Sequence, residues 1–140
     1  MKQTVEVEVT GTTTNYYVVR GNSKISHNPN GPARIYVGGF YGRKVWMNNG
    51  KVHRTDGPAI EWDDGDIDYF HCGKRHRLDG PAIIRQRAVY RHRLGWYING
   101  TEYSTESAFL KAVTKWLSYK EVTREDIEQQ IGQFRIVEWE

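Results

Sequence analysis

One octapeptide occurs twice in this chain, and nothing else in the sequence constrains the fold as much. His53-Arg54-Thr55-Asp56-Gly57-Pro58-Ala59-Ile60 returns 23 residues later as His76-Arg77-Leu78-Asp79-Gly80-Pro81-Ala82-Ile83. A decayed copy, His27-Asn28-Pro29-Asn30-Gly31-Pro32-Ala33-Arg34-Ile35, lies 26 residues upstream of the first. A second motif alternates with it. Trp46-Met47-Asn48-Asn49-Gly50-Lys51-Val52-His53 matches Tyr69-Phe70-His71-Cys72-Gly73-Lys74-Arg75-His76, and again Trp96-Tyr97-Ile98-Asn99-Gly100-Thr101-Glu102-Tyr103. Tyr17-Val18-Val19-Arg20-Gly21 is a faint earlier copy. Self-similarity at this period marks an array of supersecondary units that become stable only by stacking on one another.

One unit can be read residue by residue. Proline fixes φ and donates no hydrogen bond, so Gly-Pro starts or edges a strand. Ala59-Ile60-Glu61-Trp62 reads as a short strand, and Asp63-Asp64-Gly65-Asp66 as a hairpin turn. Ile67–Phe70 is the return strand, and the Asn-Gly or Cys-Gly pair turns the chain toward the next His-Arg. Each unit is therefore a hairpin of 23 residues, longer in the first and third copies, where the extra residues fall near Gly38–Gly42 and Arg85–Leu94. A single hairpin is marginal in water, so neighbours must pack.

The residues His53–Ile83 resemble the MORN-type hairpin repeats, in the variant common in bacteriophage and bacterial proteins. The resemblance covers about residues 17–103. It implies an all-β array of hairpins in one curved sheet, serving as a scaffold and binding surface. It does not imply a chemistry.

The ends differ from the middle. Val5, Val7 and Val9 alternate with Glu6 and Glu8, which predicts a strand with one buried face. With a turn at 11–15 and a return over Tyr16–Arg20, residues 1–20 form a hairpin that caps the repeat sheet. Phe109, Ala112, Val113, Trp116 and Leu117 share one face of a helix over 105–119, capped by Ser104 or Thr105. A second helix is predicted at 124–131, with Thr123 as its cap, and a final strand at Phe134–Trp139. The expected fold is thus mainly β (α+β): one domain over 1–140, with hairpin repeats at 21–103 and a small C-terminal helical cap at 104–140.

Composition supports a globular chain. Of 140 residues, 38% are hydrophobic without counting glycine. The longest apolar run, Tyr16–Val19, is far too short for a membrane helix or a secretory leader, so the expected setting is the cytoplasm, that of the host if the chain is phage-encoded. The net charge of +3 is banded: 51–70 carries −4 and 71–93 carries +6. The lone Cys72 excludes an internal disulfide.

No catalytic constellation is apparent, and the chain is expected not to be an enzyme. His27, His53 and His76 hold equivalent positions; repetition favours a role in which each hydrogen-bonds its turn over a metal ladder, since catalysis needs one asymmetric site. Asp56 and Asp79 read as turn caps, because Asn30 replaces them in the first copy. Asp63, Asp64, Asp66 and Asp68 lack the spacing of a calcium loop. Cys72 sits where Asn49 and Asn99 stand, which marks a turn and not a nucleophile. No Gly-rich loop leads from a strand into a helix, so no nucleotide cofactor is expected, and no metal is assigned.

Two binding surfaces remain. In the leading reading Trp46, Trp62, Tyr69 and Trp96 anchor a protein partner, and by the resemblance the chain is a small phage factor that binds or inhibits a host protein. In the alternative, nucleic acid or a nucleotide is bound by Arg85, Arg87, Tyr90, Arg91 and Arg93, with Lys74 and Arg75 nearby. As a strand, residues 85–93 would line four arginines on one face, free for phosphate or answering the acidic residues 61–68 of the neighbouring unit.

Overall fold

A computed structural model describes residues 3–87 and 93–119 of the protein. Strands β1 (Glu6–Thr10) and β2 (Thr13–Arg20) form the N-terminal hairpin, with the turn confined to Gly11-Thr12. Then follow β3 (Ser23–Ser26), β4 (Arg34–Tyr36), β5 (Arg43–Val45), β6 (Met47–Asn48) and β7 (Lys51–Val52). The second repeat supplies β8 (Ile60–Trp62), β9 (Ile67–Asp68), β10 (Phe70–His71) and β11 (Lys74–Arg75). The third supplies β12 (Ile83–Ile84), β13 (Leu94–Ile98) and β14 (Thr101–Tyr103), and helix α1 (Glu106–Tyr119) closes the described chain. The predicted helix at 124–131 and strand at 134–139 lie outside the described residues.

Among the described residues one antiparallel sheet runs in the order β1-β2-β4-β5-β8-β9-β12-β13-β14, with β3 also paired to β2. The mainly-β reading with a small helical cap is therefore correct. Each unit contains two hairpins, not one. The long hairpin, such as β8–β9, belongs to the main sheet; a short one, β6–β7 or β10–β11, follows it and turns at Asn49-Gly50 or Cys72-Gly73. Both central residues of these turns have positive φ, 51° and 81° in the first and 49° and 83° in the second, which gives the twist a two-residue hairpin needs.

The short hairpins form a row along one end of the strands, and the histidines join them. The Asn49 amide donates to Nδ1 of His27 (3.1 Å), the Cys72 amide to His53 (3.0 Å) and the Asn99 amide to His76 (3.0 Å). Each is backed by a backbone bond: Gly50 N–H to Ser26 O, Gly73 N–H to Val52 O and Gly100 N–H to Arg75 O, all 2.8 Å. Each histidine follows one short hairpin and serves the tight turn of the next.

The arginine of the octapeptide folds back across its loop. Arg54 donates to Asp56 Oδ1 (2.8 Å) and Pro58 O (3.1 Å), with its guanidinium 3.9 Å from the Trp46 ring centre. Arg77 repeats the set with Asp79 (2.9 Å), Pro81 O (3.1 Å) and the Tyr69 ring (4.0 Å). In the decayed copy Asn28 takes over, donating to Pro32 O (3.1 Å). Ala33, Ala59 and Ala82 are fully buried, each accepting from the amide of Tyr16, Trp46 or Tyr69 on the neighbouring strand (2.7 Å). A small residue is needed where an aromatic one crosses.

Helix α1 seals the far edge. Thr105 Oγ1 accepts from the Ala108 amide, which makes Thr105 the N-cap. Phe109 and Val113 close a cluster with Leu78, Trp96 and Ile98, and the Phe109 and Trp96 rings lie 5.0 Å apart. Among the described residues the opposite edge is open. The buried valine face predicted for β1 is absent: Val7 is 57% and Val9 70% exposed. The adjoining β2 buries Tyr17 and Val18 instead, and no described element covers β1.

Candidate functional site

The two ends of the strands have different rules. At the histidine end every unit turns in the same way. At the other end each unit carries its own loop, and all length variation collects there: residues 37–42 in the first unit, 63–66 in the second, and the segment beyond Ile84 in the third. Variable loops on a fixed scaffold are where binding surfaces arise.

These loops are tied together. In the first, Gly39–Tyr41 forms a 3₁₀ turn, and Arg43 donates to Tyr41 O (2.8 Å) while stacking 3.9 Å from the Tyr36 ring and 5.1 Å from the Trp62 ring. The Asp63 amide donates to Gly42 O (3.0 Å) and joins the second loop to the first. A Cβ at Gly42 would overlap the Asp63 carboxylate, which would have to turn away. Asp66 Oδ1 accepts from the Gln86 amide (2.8 Å), which joins the third loop to the second.

A recess of about 450 Å³ lies where the loops meet, lined by Phe40, Tyr41, Trp62, Asp63, Asp64 and Arg87 among others. Phe40 is 88% and Tyr41 73% exposed, and Val37 beside them is also exposed. Sequence reasoning noted the insertion at Gly38–Gly42 but not the aromatic pair inside it. The available signal was two adjacent aromatics within a segment that breaks the repeat.

Of the four interface candidates named from sequence, Trp62 lines this recess and Trp46, Tyr69 and Trp96 do not. Tyr69 and Trp96 are buried, and burial pushes the Tyr69 hydroxyl pKa up. Trp46 is half-buried against Arg54. Trp62 is half-buried, donating from Nε1 to Asp68 Oδ2 (2.8 Å). Repeated aromatics build the interior because the array needs the same contact at every step.

The basic segment is divided. Arg85 grips Asp68 with both terminal nitrogens (3.0 and 2.9 Å), and its Nε lies 3.9 Å from Asp66. That is the expected answer to the acidic neighbouring hairpin. Arg93 donates to the backbone oxygens of Arg85 (3.0 Å) and Gln86 (3.3 Å). Arg87, Lys74 and Arg75 are exposed, and Arg75 lies 5.6 Å from the Phe70 ring and 5.7 Å from the Tyr97 ring. Tyr90 and Arg91 lie outside the described residues. Arg87 is at the loop end, whereas Lys74 and Arg75 belong to the histidine-end row, so the described candidates do not share one surface.

No described helix is long and apolar enough to cross a membrane. No protein-family model, curated protein or solved structure matches the chain.

Proposed function

We propose that the protein is a non-enzymatic binding module whose loop end seats a protein partner, with Phe40 and Tyr41 as the anchors. The observation that carries this is their exposure on a turn held by Arg43 and by the loop-to-loop bonds. Large aromatics in a preordered geometry cost little entropy to bury and dominate interface energetics. Asp63, Asp64 and Arg87 supply a polar rim around them. By the resemblance to phage-type repeats, the partner is a host protein whose activity is blocked on binding. The engagement of Arg85 by Asp68 and of Arg93 by the backbone of the same loop favours this reading over phosphate recognition.

The test is capture from host lysate by the tagged full chain, at low and high salt, with and without nuclease, beside the Phe40→Ser/Tyr41→Ser and Arg87→Glu variants. One protein should survive salt and nuclease, and the aromatic variant should lose it, at about 2 kcal/mol or more per anchor. Capture unchanged by the aromatic substitutions overturns the proposal. So does recovery of nucleic acid that high salt releases and Arg87→Glu weakens.

A further inference from the structure

We infer that His53, His71 and Cys72 form a binding site for a zinc-class divalent cation on the row of short hairpins, away from the loop surface and independent of it. One donor atom from each residue lies within 4.8 Å of the others, and the His53 and His71 rings are 4.7 Å apart. His71 and Cys72 are exposed and His53 is half-buried, so a cation reaches the group without opening the fold. Thiolate with imidazole is the donor set that selects zinc over magnesium or calcium, and three protein ligands leave a position for solvent.

The repeat itself singles this place out. The positions equivalent to His71 and Cys72 carry Asn48 and Asn49 in one unit and Ile98 and Asn99 in another. Position 72 has φ 49°, a left-handed conformation that asparagine tolerates better than cysteine. The middle unit therefore gives up the better turn residue at the one place where a histidine from the preceding turn and a second histidine in the same hairpin come together. A role in stacking predicts the same residues in every unit; a ligand site predicts them in one.

The geometry also sets the character of the site. Nδ1 of His53 accepts the Cys72 amide (3.0 Å), so the neutral ring carries its proton on Nε2. On binding, the Cys72 thiol releases its proton to solvent. His53 gives up the amide bond at Nδ1 whichever nitrogen binds: a cation at Nδ1 takes the accepting lone pair, and a cation at Nε2 sends the ring proton to Nδ1. Binding is thus linked to proton release and competes with one hydrogen bond between neighbouring short hairpins, which makes the site exchangeable and its affinity lower in acid.

The test uses the full chain with Zn(II) followed by calorimetry, and Co(II) followed by visible absorption, beside His71→Asn and Cys72→Asn. Both variants install the residues of the equivalent first-unit turn, so loss of metal cannot be ascribed to loss of fold; an unchanged far-ultraviolet circular dichroism spectrum checks this. One Zn(II) per chain is expected, with Co(II) giving tetrahedral bands and thiolate charge transfer. Each variant should weaken Zn(II) binding at least tenfold, and Cys72→Asn should abolish the charge-transfer band. Zn(II) should also slow thiol modification of Cys72 in the parent and not in His71→Asn. Equal Zn(II) binding by the parent and either variant, or none by the parent, overturns the assignment.

Discussion

The two full copies of the octapeptide differ in one residue, Thr55 against Leu78, and live in different surroundings. In the second unit the Arg54 side chain is 20% exposed and its partner Asp56 is 75% exposed. In the third unit Arg77 and Asp79 are each 1% exposed, at the same bond lengths to within 0.1 Å. Leu78 belongs to the cluster closed by Phe109 and Val113, while Thr55 faces solvent. Burial raises the Asp79 pKa even against the pull of Arg77, and its Oδ2 has no partner among the described residues. The same hydrogen-bonded bracket is thus a solvated loop clamp in one unit and a buried ion pair in the next. The shared residues give the same geometry, and burial decides the energetics.

The largest expected difference lies in the arginines. Arg77→Ala strands a buried carboxylate and should cost about 3–5 kcal/mol. Arg54→Ala leaves Asp56 in water and should cost about 1 kcal/mol. Urea unfolding of the two variants checks this, and equal losses would break the comparison.

Acid should separate the units next. His76 is held down to about 4, by burial first and by His71 second; His53 is lowered by the same causes in the same order. A depressed histidine binds fewer protons folded than unfolded. Its contribution is therefore complete above its ordinary value of 6.5 and is lost as the pH falls through that value toward 4. For His76 that amounts to about 3 kcal/mol. Asp79 gives the opposite slope: its raised carboxyl favours the fold below 3.8, and that gain fades as the pH rises through the folded value. His76→Asn should flatten the dependence of thermal unfolding on acid more than His53→Asn does, and equal profiles would remove the distinction.

The smallest effect sharpens the comparison most, because it exchanges the one differing residue. Leu78→Thr should cost about 2 kcal/mol through lost contact with Phe109 and Val113. Thr55→Leu should change stability by less than about 0.5 kcal/mol. A symmetric outcome in denaturant melts would mean that the helix is not what distinguishes the two loops.

How much of this could be read from the chain depends on whether a feature repeats. The hairpin period, the Asn-Gly turns and the helix over 106–119 were legible because turn chemistry and helical spacing are local. The partner of each histidine was not, since the Nδ1 bond crosses 22, 19 and 23 residues to the next short hairpin. The aromatic residues misled, because Tyr69 and Trp96 recur for the interior while Phe40 and Tyr41 occur once, in an insertion. The exposed valines of β1 have a similar cause: alternation reveals that a strand has two faces, not whether anything lies above either. The grouping of His53, His71 and Cys72 depends on how neighbouring turns overlap, which no spacing along the chain displays.

The backbone bonds between successive short hairpins, from Gly73 N–H to Val52 O and from Gly100 N–H to Arg75 O, also give the array a direction. Every unit presents an acceptor forward and a turn amide backward, so copies join head to tail and in no other order. Tyr103 occupies the position where the next histidine would stand, and α1 follows at once. A further unit would need a histidine there to hold its own turn, and the array stops where that histidine is withheld. Another copy of residues 53–75 placed after Arg75 would bring its own histidine for its own turn and find the Arg75 carbonyl waiting for that turn's glycine amide, so a gene could lengthen this protein by duplication without designing a new contact.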